Sequence, residues 1–139
     1  MPEQLGWLDT NLFVHALFPR DPHHARCRAI VRALEEGRAE GWLDPLVVHE
    51  LSYVLSRLGQ RFPTRTAIEE YLRGILLIDA IHADDKAGLL EAVARWEIGR
   101  TGFADAWLAV RARRRGLPVC SVNQADFGSM PNTFLTARL

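Results

Sequence analysis

The chain has 139 residues, 17 basic and 17 acidic, with a formal net charge of zero and 48% hydrophobic residues. That length and composition suit one globular domain over residues 1–139 with a core of its own, and they exclude a disordered chain. No apolar run approaches the ~18–20 residues of a membrane span, so no membrane association is expected. Balanced charge does not by itself mark a nucleic-acid binder.

Lys86 is the only lysine, and the other 16 cations are arginines. Guanidinium binds phosphate bidentately and stacks on bases, so this bias is compatible with RNA contact, as it is with a GC-rich genome. Early acids (Glu3, Asp9) without a basic start argue against a secretory leader. Cys27 and Cys120 lack metal-ligand spacing and read as buried thiols in a reducing compartment, hence a cytoplasmic protein.

Short apolar runs alternate with helical patterns, which predicts an α/β fold rich in helix. Residues 5–8 form a first strand ending at Asp9, and 11–17 a short helix. Asp21-Pro22 reads as an N-cap with proline in the first turn, opening a helix to about residue 36 that Gly37 stops. A short strand is expected at 42–43. Asp44-Pro45 repeats the cap signal and opens a helix to about 58. Residues 63–76 are a further helix, 76–81 a strand and 84–98 a helix. A helix follows Gly102 to Arg115, then a strand at 119–122 and an edge strand at 134–135.

Certain carboxylates fall in unexpected places. On the 45–58 helix, Val47, Leu51, Val54, Leu55 and Leu58 recur at helical spacing. Glu50 sits on that stripe, where a charge is costly unless paired or metal-bound. A pair with Arg57, or half-exposure, would also account for it. Asp105 shares a helix face with Leu108, Ala109 and Ala112, in a first turn where the helix dipole favours an anion. Asp9 ends the first strand and Asp126 follows the strand at 119–122, the edge where open α/β sheets bind ligands. Taken singly, Asp9 also reads as a cap and Asp126 as a turn residue. Glu69 and Glu70 read as ordinary surface acids.

Carboxylates gathered within a few ångströms repel by about 4 kcal/mol per close pair. Protons or a divalent cation must offset this. Hard oxygen donors, with His15, His23, His24, His49 and His82 lacking zinc spacing, favour Mg²⁺ or Mn²⁺. Such an ion, with an activated water, suits cleavage of phosphate esters.

Leu8-Asp9-Thr10-Asn11, Val48-His49-Glu50-Leu51, Gly102-Phe103-Ala104-Asp105-Ala106 and Ser121-Val122-Asn123-Gln124-Ala125-Asp126-Phe127 together resemble the PIN-domain family, and more narrowly the VapC-type toxins of toxin–antitoxin pairs. The resemblance runs from about Leu5 to Phe127. It implies a three-layer α/β/α sandwich with a short parallel sheet. It also implies Mg²⁺- or Mn²⁺-dependent endoribonuclease activity on RNA, a homodimer, and a cognate antitoxin as partner.

Carried over by position, Asp9, Glu50 and Asp105 match the first three family acids. Asn123 stands where the family often has an acid, and Asp126 takes the place just before the phenylalanine. Asp9 and Asp105 would hold the principal ion, with Glu50 and Asp126 binding through water or a second ion. Asn11, Ser121 and Asn123 would support that centre. Arg111, Arg113, Arg114 and Arg115 would contact RNA phosphates, or simply stabilise their helix end.

Two other readings compete. A PIN fold with a decayed metal site would be a non-catalytic RNA- or protein-binding module, a reading that Asn123 favours. A haloacid-dehalogenase-like phosphatase needs a second aspartate two residues after the first, where Asn11 stands. It also needs a late lysine, and Lys86 is expected mid-helix.

Overall fold

The computed structural model describes residues 1–121, 127, 134 and 135; Asn123 and Asp126 lie outside the described residues. Its elements are β1 (Glu3–Trp7), α1 (Thr10–Leu17), α2 (His24–Glu35), β2 (Ala39–Trp42), α3 (Pro45–Ser56), α4 (Arg65–Leu76), β3 (Ile81–His82), α5 (Lys86–Ile98), α6 (Phe103–Arg115), β4 (Val119–Cys120) and β5 (Phe134–Leu135). The chain divides into two compact units, 1–86 and 87–139. The first carries a parallel sheet ordered β1-β2-β3, and the second the parallel pair β4-β5. This is the helix-rich α/β class with short parallel strands that the alternating pattern predicts.

The first unit is built on the crossover logic of parallel strands, which need a helical connection to return to the same edge. Helices α1 and α2 link β1 to β2, and α3 and α4 link β2 to β3. Phe13, Leu43, Leu51, Leu55 and Ile81 are fully or almost fully buried in it. In the second unit Leu89, Val93, Phe103, Ala106 and Val110 are buried.

Strand β1 contains a local irregularity. The β1–β2 register shifts between Gln4 and Trp7, and Gly6 has φ 76°. A left-handed residue in a strand makes a bulge that increases twist and re-aims the residues after it. Beyond the bulge Trp7 pairs with Trp42, and Trp42 with His82. The Leu8 N–H still donates to the Trp42 carbonyl at 2.9 Å, so the ladder continues to the residue before Asp9.

Several expected elements differ. The helix expected from Pro22 begins at His24 instead, with His23 at the cap position. Asp21 does not cap it. Its carboxylate accepts from the His23 N–H at 2.7 Å and from His15 Nδ1 at 2.6 Å, so Asp21-Pro22 forms a turn fastened to α1. These contacts, the His23 N–H first and His15 second, hold the Asp21 carboxyl below its ordinary range.

A depressed carboxylate contributes stability above its unfolded pKa and loses it as pH falls through the folded value. Asp21→Asn is therefore expected to melt below the parent near neutral pH. The gap should close as pH falls through and below about 4. Melting curves across that range check this, and a gap that persists in acid would refute it.

Asp44, by contrast, caps as expected. Its Oδ1 accepts from the Leu46 N–H at 2.8 Å, with Pro45 in the first turn. Asp44→Ala is expected to cost about 1 kcal/mol, read as a fall in melting temperature of a few degrees.

The apolar run expected as a strand at 76–81 divides differently. Leu76 ends α4, and only Ile81–His82 is strand. Lys86 is the first residue of α5 rather than mid-helix, and its ammonium donates to the Ile78 carbonyl at 2.9 Å. Desolvation pushes the Lys86 pKa down. Neither cysteine is buried: Cys27 is half-buried and Cys120 exposed, both as free thiols.

Candidate functional site

The carboxyl edge of the first sheet repeats a three-residue spacing. Trp7-Leu8-Asp9, Trp42-Leu43-Asp44 and His82-Ala83-Asp84 each place an aromatic ring in the last strand residue and an acid two residues on. The rings form a row across the three strands, with centroids 6.0 Å apart for Trp7 and Trp42 and 5.5 Å for Trp42 and His82. His82 Nε2 is 3.0 Å from Glu40 Oε2. Periodicity and capping signals do not reveal this row, although the repeated aromatic-x-acid spacing is visible in the sequence.

Asp9 occupies the N-cap position of α1 with extended backbone, yet its side chain makes no capping hydrogen bond. It is exposed and, among the described residues, in no ion pair. The bland reading of Asp9 as a structural cap therefore fails where the same reading of Asp44 holds.

Thr10, the first residue of α1, is 2% exposed, and its hydroxyl donates to Glu50 Oε2 at 3.0 Å. That bond spans 40 residues of sequence and fastens the middle of α3 to the start of α1 beside Asp9. A hydrogen bond to a carboxylate is roughly twice as strong as a neutral one, so Thr10 orients Glu50. No periodicity argument could have assigned Thr10 this part, because the contact is long-range.

Glu50 itself departs from expectation. It is exposed, not on the buried stripe. The buried residues of α3 are Val48, Leu51, Ser52 and Leu55, while Val47 and Val54 are only half-buried. Leu51 and Leu55 belong to both stripes, and packing selected the other phase. Arg57 does not neutralise Glu50 either: its guanidinium lies 5.3 Å from the Tyr53 ring centroid.

Asp105 lies in the first turn of α6, after the Gly102 cap, and is half-buried. Ala109 and Ala112 on its face are buried as expected, but Leu108 is 50% exposed. Asn11 is exposed and Ser121 half-buried. The expected phosphate contacts on α6 are partly committed: Arg113 pairs with Glu91, and the Arg111 guanidinium lies 5.5 Å from the Trp107 centroid. Arg114 and Arg115 are exposed.

The donor set suits a hard divalent ion. Mg²⁺ is held through one or two carboxylates and completes its shell with waters and substrate phosphate. Asp9 and Glu50 offer exposed carboxylate oxygens, hard donors of the kind such an ion prefers. Among the described residues, no group of three or more His, Cys, Asp or Glu is close enough to hold a metal.

Residues 7–109 match the family described as PIN domain, so this chain belongs to the PIN-domain family, a nuclease-type α/β fold. The matched span contains Asp9, Glu50 and Asp105 but ends before Ser121, Asn123 and Asp126. No curated protein and no solved structure matches the chain. No helix among the described residues is long and apolar enough to cross a membrane.

Proposed function

We propose that this chain is a Mg²⁺- or Mn²⁺-dependent endoribonuclease acting on single-stranded or structured RNA, and the toxin of a VapC-type pair held in check by an antitoxin protein. The observation that carries the reading is the exposed, uncapped Asp9 at the end of β1, with Glu50 fastened beside its helix by Thr10. A structural acid at that position would cap; a ligand acid keeps its oxygens open. Asp9 and Glu50 would supply the first unit's carboxylates for the ion, and the resemblance adds Asp105, Asp126 and Asn123 as the remaining family positions. When bound, the ion supplies charge neutralisation at the phosphate and lowers the pKa of a water. The chain's own part is to fix the carboxylates and, through the Thr10 hydroxyl, to keep Glu50 in one orientation.

The two compact units belong to one PIN domain in this reading, since the family match runs across the division between residues 86 and 87. A homodimer in the cytoplasm completes it. The direct experiment is incubation with single-stranded RNA, with Mg²⁺ or Mn²⁺ and then with EDTA. Cleavage that EDTA abolishes supports the reading, and intact RNA under all metals removes it.

A non-catalytic PIN-fold binding module is the second reading. It is favoured by the lack of a three-ligand cluster among the described residues. RNA binding without cleavage, unchanged in Asp9→Asn, would establish it.

A further inference from the structure

The acids face one end of a longer surface. Helices α1 and α3 touch at Thr10 and Glu50. They also approach where each of them ends, because Phe18, the C-cap of α1, lines a surface cavity of about 560 Å³ with Arg57, Leu58, Gly59, Gln60 and Arg61. The two helices therefore run side by side in the same direction. At 1.5 Å per residue, Thr10 to Phe18 spans about 12 Å and Glu50 to Arg57 about 10.5 Å. Both routes set the cavity at a similar distance from the acids.

Glu50, Tyr53 and Arg57 are spaced i, i+3 and i+7 on α3, which puts them on one face, and all three are exposed. Tyr53 is 58% exposed and carries the Arg57 guanidinium over its ring. The cavity lining holds two arginines and no acid. Neither Arg57 nor Arg61 is in an ion pair among the described residues, whereas Arg28, Arg38, Arg73, Arg95 and Arg113 each face a glutamate. Two guanidinium groups at one cavity with no acid in its lining favour an anion there, although Arg61 also lines a second cavity with Glu35, which pairs with Arg28. The planar fork of arginine fits phosphate. With the Arg57 guanidinium over one face, the 58% exposed Tyr53 ring still suits a nucleobase, which stacks on aromatic rings whatever its identity.

We infer that the α3 face is a track for single-stranded RNA, with a base on Tyr53 and a backbone phosphate held by Arg57 and Arg61 in the cavity beyond it. The inference rests on the ribonuclease reading above and names the substrate contacts of that same site. At about 3.4 Å of rise per stacked nucleotide, the phosphate lies roughly three nucleotides from the one at Asp9 and Glu50.

The test is metal-free binding of a labelled single-stranded oligonucleotide of about 20 nucleotides to the Asp9→Asn protein across a salt series. Arg57→Ala with Arg61→Ala is expected to weaken binding about tenfold and to flatten the salt dependence by about 0.7 per lost phosphate contact. Arg57→Lys keeps the slope, and Tyr53→Ala weakens binding without changing it. In the parent background, KM for the long oligonucleotide rises in the double variant while kcat holds. Equal affinity and slope in a double variant that melts like the parent would overturn the track. So would equally tight, arginine-dependent binding of an acidic peptide, which would make the cavity a protein-docking site. Cleavage by the parent is scored separately, so loss of the ribonuclease reading and loss of the track give different results.

Discussion

Replacing Asp9 by asparagine is expected to lower metal-dependent RNA cleavage by about 10²-fold or more, with the melting temperature within about 2 °C of the parent. The first figure comes from comparison. Groups that merely support a metal ligand cost 10–100-fold when removed, and a direct donor should cost at least as much. The second comes from the local structure. Asp9 is exposed and its side chain caps nothing; asparagine is as good a residue for the N-cap position as aspartate. Exposed substitutions of this kind change stability by roughly 0.5 kcal/mol or less.

Asp44 provides the internal control, because it occupies the equivalent place after β2 and does cap its helix. Asp44→Ala should lose stability and keep cleavage; Asp9→Asn should keep stability and lose cleavage. Parallel losses in both variants would mean that the two acids have the same structural job. RNA cleavage assays and thermal melts on the same preparations separate these outcomes.

The comparison of Asp21 with Asp44 shows where sequence is sufficient and where it is not. Both precede proline, and both promise a cap. Asp44 delivers one, its Oδ1 accepting from the Leu46 N–H directly ahead of α3. Asp21 makes the same local bond, to the His23 N–H, but the helix starts only at His24, and the second carboxylate oxygen is held at 2.6 Å by His15 on the preceding helix, a contact that no sequence window of helical period contains.

The phase of α3 illustrates a second limit. Residues 47, 51, 54 and 58 and residues 48, 51, 52 and 55 satisfy the same period, and only contact with the rest of the first unit decides that the latter turn inward. The pattern singles out Glu50 on a premise of burial that the structure corrects. Its place beside Asp9 rests instead on the long-range Thr10 bond. The first strand and the position of Asp9 are legible because β1 is short, apolar at its end and followed at once by a helix. The run at 76–81 is not, since a short apolar segment reads equally as helix end or strand.

Gly41→Ala is expected to destabilise the protein by about 1–3 kcal/mol, a fall of roughly 3–12 °C in melting temperature, and to reduce cleavage along with it. Gly41 lies in β2, buried, where a Cβ would stand 2.6 Å from Leu8 Cδ2, 2.8 Å from Cγ and 2.9 Å from Cδ1. All three atoms of the branch are too close, so turning one methyl aside does not relieve the contact. Leu8 is only 5% exposed and has little room to swing.

The strain then passes into the backbone, and the next residue along it is Asp9. Because Leu8 N–H is bonded to the Trp42 carbonyl, a shift of Leu8 would move the strand end relative to β2 and with it the position of the Asp9 carboxylate. Shortening the obstructing branch should undo the effect. Gly41→Ala combined with Leu8→Ala is expected to be more stable than the sum of the single changes predicts, since the new methyl fills part of the space the leucine vacates. A double variant that is merely additive would show that Leu8 does not transmit the clash. Gly41→Ala with unchanged melting and cleavage would show that the sheet edge absorbs a methyl without disturbing Asp9.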